Sequence, residues 1–199
     1  MLMTLTEAMS GVNVLFAYDV ESTMISTAAL VNTLPELSDS GGDELSTLEQ
    51  LDEFVRTNQY SGSRAHDQAE LDGVREIREP LRELWTTRDE EHLVDLVNGM
   101  LTAARALPQI VRHDDLGWHL HATSSESPLA DRMLVEAAMG WVDVIRNNER
   151  ERMRICAADD CQAVLVDFSR NRSKRYCDVG NCGNRANVAA YRARLSAAE

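Results

Sequence analysis

Cys156, Cys161, Cys177 and Cys182 are the only cysteines in a chain of 199 residues, and they form two Cys-x4-Cys pairs separated by fifteen residues. Thiolate sulfur is a soft ligand suited to Zn²⁺, and two close pairs can close a tetrahedron when each pair sits on a tight turn. Both spacers, Ala157-Ala158-Asp159-Asp160 and Asp178-Val179-Gly180-Asn181, have turn composition. Two disulfides or four buried thiols are the competing readings. The clustering of every cysteine into 27 positions, with none in residues 1–155, favours metal over a disulfide framework spread through the fold. Four thiolates leave no open position for water, so the expected cofactor is one structural Zn²⁺ per chain, and its removal should unfold the last 45 or so residues.

Charge is divided unevenly around this cluster. Residues 1–150 carry 11 arginines and 27 acidic side chains, a balance of −16, whereas residues 151–199 carry 9 basic and 6 acidic ones, a balance of +3. Seven of those basic groups lie between Gln162 and Leu195: Arg170, Arg172, Lys174, Arg175, Arg185, Arg192 and Arg194. Positive charge gathered beside the cysteines points to phosphate contacts and hence to nucleic acid.

The elements that must position these residues can be read from periodicity and end signals. Val12 to Val20 is apolar and aromatic, which predicts a strand, followed by a helix over Glu21 to Leu34. Ser46-Thr47-Leu48-Glu49 predicts a capping box opening a short helix, and Thr87-Arg88-Asp89-Glu90 a second one. Leu71, Val74, Ile77, Leu81, Leu84 and Trp85 stripe one helix from about His66 to Trp85, weakened or kinked by Gly73 and Pro80. Ile110 to Ala122 reads as a β-hairpin turning at His113 to Gly117. Ser127-Pro128 predicts a cap and a first-turn proline for a helix that runs on into a charged connector over residues 146–154. Ala163 to Phe168 reads as a strand, and Gly183 to Arg192 as a helix. The fold class is therefore α+β: an α-rich N-terminal domain with a small hairpin over residues 1–150, then a treble-clef-like finger over 151–199 built as knuckle, strands, knuckle and helix.

Other candidate chemistry is sparse. His119 and His121 share one side of a strand at a spacing compatible with a metal, but a pocket wall is favoured because no third ligand lies near them in sequence. Trp85, Trp118 and Trp141 occupy apolar positions and are expected in the core. No phosphate loop, nucleophile elbow or zinc-protease motif occurs, so the chain is not expected to be an enzyme. No run approaches the roughly 18–20 apolar residues of a membrane span, and no signal peptide opens the chain, which places it in the cytoplasm.

The stretch Cys177-Asp178-Val179-Gly180-Asn181-Cys182-Gly183-Asn184-Arg185 closely resembles the signature of the CGNR zinc finger family, and Val166 to Tyr176 resembles the segment that precedes it there. Upstream, Asn32-Thr33, the Leu71 to Leu84 helix, Leu96-Val97-Asn98 and the Trp118 strand resemble the ABATE domain that precedes this finger. The resemblance implies a bacterial, stress-related transcription regulator that binds DNA in the nucleoid, with residues 1–150 as sensor and 151–199 as finger. Arg170, Arg172, Lys174, Arg175, Arg192 and Arg194 are then expected at phosphates. Asn184 and Arg185 could reach base edges, although Arg185 could equally pin the fold near the knuckles. By analogy with the family, a small-molecule effector would meet Asn32, Arg78, Asn98 and Trp118. In a homodimer the Pro128 to Asn147 helix would be the contact surface. The rival reading is a finger that contacts RNA polymerase or another regulator without touching DNA.

Overall fold

The computed structural model describes residues 16, 18–112 and 118–196. The first helix, α1, spans Tyr18–Val31, so the Tyr18 to Val20 part of the expected strand is helical. The rest of that stretch, apart from Phe16, lies outside the described residues. Asp19 and Glu21 occupy the first turn of α1, where carboxylates complement the free amides and the positive end of the helix dipole. Met24, Ser26, Thr27, Ala28, Leu30 and Val31 are all buried, and a helix buried on several sides has no single apolar stripe to betray its period.

Helix α2, Leu48–Thr57, is capped by Thr47 with Gln50 completing the box. Two overlapping boxes exist in the sequence, and the chain uses the second because the Gln50 carboxamide accepts from the amides of both Ser46 and Thr47. The single long helix expected over residues 66–85 is two helices, α3 (Gln68–Glu76) and α4 (Arg78–Thr86), meeting at Ile77. Pro80 is the third residue of α4. Its missing N–H is harmless in a first turn, but inside a continuous helix its ring would meet the carbonyl of Glu76. Helix α5 spans Glu90–Ala103 with Asp89 rather than Thr87 as its cap, and α6 spans Leu129–Arg146 with Pro128 just outside it.

Helix α6 is the spine of the core. Nine of its residues, including Met133, Val135, Trp141 and Val144, are buried, and it packs against α1, α3 and α5. It is therefore not the exposed dimer surface expected from its length. Trp85 and Trp141 meet edge to face at 5.0 Å in this core.

The loops before α3 and before α6 cross at Gly62, whose φ is +95° and whose added Cβ would lie 2.7 Å from the Ser125 carbonyl oxygen. Arg132 fastens the same crossing by donating to the carbonyls of Ser63, Ser125 and Ser127. Gly62→Ala should cost about 1–3 kcal/mol, because the backbone conformation and the close carbonyl both exclude a side chain. A urea melt showing no loss would remove that explanation.

Strands β1 (Gln109–Arg112) and β2 (Trp118–His121) form the expected antiparallel hairpin, pairing Ile110 with Leu120 and Val111 with His119. Its turn lies outside the described residues. Strand β2 turns its histidine side inward, as expected of a pocket wall, and its Trp118 side outward. Ile110, Trp118 and Leu120 are exposed, Trp118 to 71%, while His119 is buried. Trp118 is thus not a core residue, because a period of two allows only one set inward and here it is the histidines.

After a 3-10 turn, strand β3 (Met153–Ile155) pairs antiparallel with β4 (Val164–Val166), and α7 spans Cys182–Ser196. Met153, Val164 and Val166 belong to the same core as the helices. Asn32 donates its amide to the Val164 carbonyl (2.8 Å) and accepts from the Val164 amide (2.9 Å), and Trp85 donates to the Leu165 carbonyl (3.2 Å). A second, small core holds Cys156, Ala163, Leu165, Cys177 and Cys182.

Candidate metal centre and basic face

Each cysteine is presented by a local device. Cys156 follows β3, where its amide donates to Ala163, and the Cys161 amide donates to Ala158, closing the first knuckle. Asn181, at a left-handed φ of 50°, reverses the chain so that Cys182 opens α7. The amide of Ala157 donates to the Arg175 carbonyl, which joins the two knuckles. Gly180 packs beside Asp39 of the loop between α1 and α2, where an added Cβ would lie 3.3 Å from a carboxylate oxygen.

The four sulfurs lie within 4.8 Å of one another. Cys177 Sγ is 3.7 Å from both Cys161 Sγ and Cys182 Sγ. A disulfide would need about 2.05 Å, whereas a tetrahedron with metal–sulfur bonds of about 2.3 Å has edges of roughly 3.8 Å. The geometry fits the donor set, and the cluster could hold one zinc ion. Burial pushes the Cys161 thiol up to about 12 and also raises Cys177. A cation among the sulfurs would offset that cost and favour their thiolate forms.

The basic side chains divide into two groups. Arg185 reaches back from α7 to Asp160 in the first knuckle (2.6 Å) and donates to Cys182 Sγ (3.1 Å). These contacts tie α7 to the first knuckle through a carboxylate and a sulfur. Arg172 pairs with Glu149 and Glu151, and Lys174 with Asp178. Arg170, Arg175, Arg192 and Arg194 are exposed, and among the described residues no carboxylate pairs with them. Asn184 is exposed in the first turn of α7.

Sequence reasoning missed the residue that shapes the basic loop. Asp167 is fully buried and accepts from the Ser169 amide and hydroxyl and from the Lys174 amide, while Arg154 pairs with it at 3.1 Å. Burial opposes its charge, but these bonds outweigh burial and hold its carboxyl below the ordinary range. A lone aspartate ending an apolar run was the available signal. Arg154 also donates to the carbonyls of Arg172 and Lys174, and Arg152 to those of Asp167 and Ser169.

The four residues expected around an effector are not brought together. Asn32 is committed to Val164 as above. Arg78 is buried and paired with Asp43 at 2.7 Å, with a further bond to the Thr33 carbonyl. Asn98 is exposed on α5, and Trp118 is exposed on β2. Of the four, Asn32 alone lines a groove, of about 690 Å³, walled also by Ala29, Leu45, Phe54 and Val179.

A helical domain carrying a four-cysteine, zinc-finger-type module at its C-terminal end is the class that fold and site define. Residues 27–148 match the ABATE family, described as "Putative stress-induced transcription regulator", and residues 152–195 match the CGNR zinc finger. The chain belongs to the ABATE family and carries a CGNR zinc finger; both are of regulator and zinc-finger type rather than enzyme families. No curated protein matches it. Among the described residues no helix is long and apolar enough to cross a membrane.

Proposed function

We propose that the chain is a cytoplasmic transcription regulator whose zinc-held finger, residues 151–199, docks on DNA under the control of the N-terminal sensor, residues 1–150. The observation that carries this reading is the group of four exposed arginines, Arg170, Arg175, Arg192 and Arg194, that have no carboxylate partner among the described residues, on a chain that is otherwise acidic. Arg170 and Arg175 flank the loop held by Asp167, and Arg192 shares the outer side of α7 with Asn184. In this reading phosphates fix the finger, and Asn184 reaches a base edge.

Four released counterions give a log–log salt slope of about −3.6, which is roughly a 10²-fold loss of affinity between about 50 and 200 mM salt. Arg170→Ala, Arg175→Ala and Arg192→Ala should each flatten the slope by about one. Arg172→Ala should change it less, because Glu149 and Glu151 already neutralise that side chain. Fluorescence anisotropy with genomic fragments reads this, and a slope near zero would end the DNA reading. A slope near twice the value would indicate two fingers acting together in a homodimer.

An effector acting on this finger fits the groove between α1, α2 and the second knuckle, because Val179 of the knuckle forms one wall. Asn32 on the opposite wall is bonded to β4. A ligand seated there would touch both parts of the chain.

A second reading has its own observation. Val188, Tyr191 and Leu195 are 43%, 56% and 53% exposed, and their three- and four-residue spacing puts them on one side of α7. Such a stripe suits a protein partner such as RNA polymerase or another regulator. Val188→Asp would then abolish partner capture while leaving the salt slope on DNA fragments unchanged.

A further inference from the structure

The inward histidine side of the hairpin has a chemical consequence inside the N-terminal part of the chain. His119 and His121 turn their rings inward, with Nε2 atoms 3.1 Å apart and ring planes tilted at 56°. Both line a partly open cavity of about 170 Å³ bounded by α1, α6 and the segment after α2. The polar wall also carries the Ser26 and Tyr60 hydroxyls, 3.1 Å apart, the carboxamides of Asn58 and Gln59, and the carboxylates of Asp19, Glu136 and Asp143. No lysine or arginine is among the described residues of the lining.

Two imidazole nitrogens at that separation share either a proton or a cation. A metal about 2.0–2.1 Å from both nitrogens would subtend roughly 95–100°. That lies between the octahedral and tetrahedral angles, so chelation requires no movement of the rings' nitrogens. Three carboxylates, with no lysine or arginine among the described lining residues, make the cavity favourable for positive charge. Neutral imidazole is a ligand of borderline divalent ions such as Zn²⁺ and Ni²⁺.

We propose that this cavity binds one borderline divalent transition-metal ion, chelated by Nε2 of His119 and His121, with water completing its coordination. The site is separate from the cysteine cluster in both place and chemistry. Two imidazoles leave positions open, so its ion exchanges, whereas four thiolates enclose theirs. The proposal is independent of whether the finger binds DNA.

The test uses the full, untagged chain carrying zinc in its finger, titrated with Ni²⁺. One Ni²⁺ per chain is expected beyond the zinc by elemental analysis. Paramagnetic broadening should remove the imidazole resonances of His119 and His121 and spare those of His66 and His92. His121 is only half-buried, so His121→Gln should keep the fold and the finger zinc. It should weaken Ni²⁺ binding at least tenfold, since even outer-shell changes cost about 10–100-fold in metal affinity. No additional ion at a large molar excess of Ni²⁺ would overturn the proposal. So would equal affinity in a His121→Gln protein with an unchanged circular dichroism melt, or broadening confined to His66 and His92.

Discussion

Chelating the metal from the zinc-loaded protein is expected to unfold the knuckles and α7 while leaving β3 and β4 in place. Structural zinc contributes about 10–16 kcal/mol of apparent folding free energy in finger-type modules. Little else secures this part of the chain. Among the described residues of α7 only Cys182 is buried, and an isolated helix of about 15 residues is marginal in water. The strands differ, because Asn32 and Trp85 hold their backbone and Met153, Val164 and Val166 lie in the main core. Hydrogen exchange read by mass spectrometry should therefore show loss of protection over residues 177–196 and retention over 164–166. Acid should do the same, since thiolates must be deprotonated to bind. A chelated protein whose α7 stays protected would mean that packing, not metal, holds the helix.

Asp167→Ala is expected to destabilise the protein by about 3–5 kcal/mol, the usual cost of leaving a buried ion partner and its hydrogen-bonding groups unmatched. The substitution strands Arg154 and frees the amides of Ser169 and Lys174, which fix the loop bearing Arg170 and Arg172. Because its folded-state carboxyl sits below the ordinary range, the contribution is present above the unfolded value of about 3.9 and is lost as pH falls below it. Urea midpoints for wild type and variant should accordingly converge in acid and separate toward neutrality. Midpoints that differ equally at both ends would assign the effect to something other than this carboxylate. The same variant should weaken DNA binding without altering zinc content, because the loop and the cysteines are separate parts of the finger.

The pattern of agreement follows from how local each signal is. The hairpin at residues 109–121 and the finger helix carry their signals within a few residues. Pro80 signals the break at Ile77, but periodicity alone does not say whether a helix kinks or ends and resumes there. The overlapping capping boxes at Ser46 to Gln50 could not be separated, since both satisfy the same chemistry. The apolar, aromatic run Val12 to Val20 points to a strand although Tyr18 to Val20 open α1, because a short apolar run does not by itself distinguish a strand from the start of a helix.

The sequence by itself determined the cluster of four cysteines that could hold a zinc ion, the concentration of basic groups beside it, and the family, because cysteine spacing and side-chain charge are properties of the chain alone. Only the tertiary structure decided which cations remain available. Asp178 is close in sequence to Lys174, but Asp160 meets Arg185 from 25 residues away and Glu149 meets Arg172 from 23. The fold also turned His119 and His121 inward while leaving Trp118 in solvent. It tied Asn32 to Val164 across 132 positions. Pairings of that range depend on where the backbone finally lies, and no local pattern in the chain encodes them.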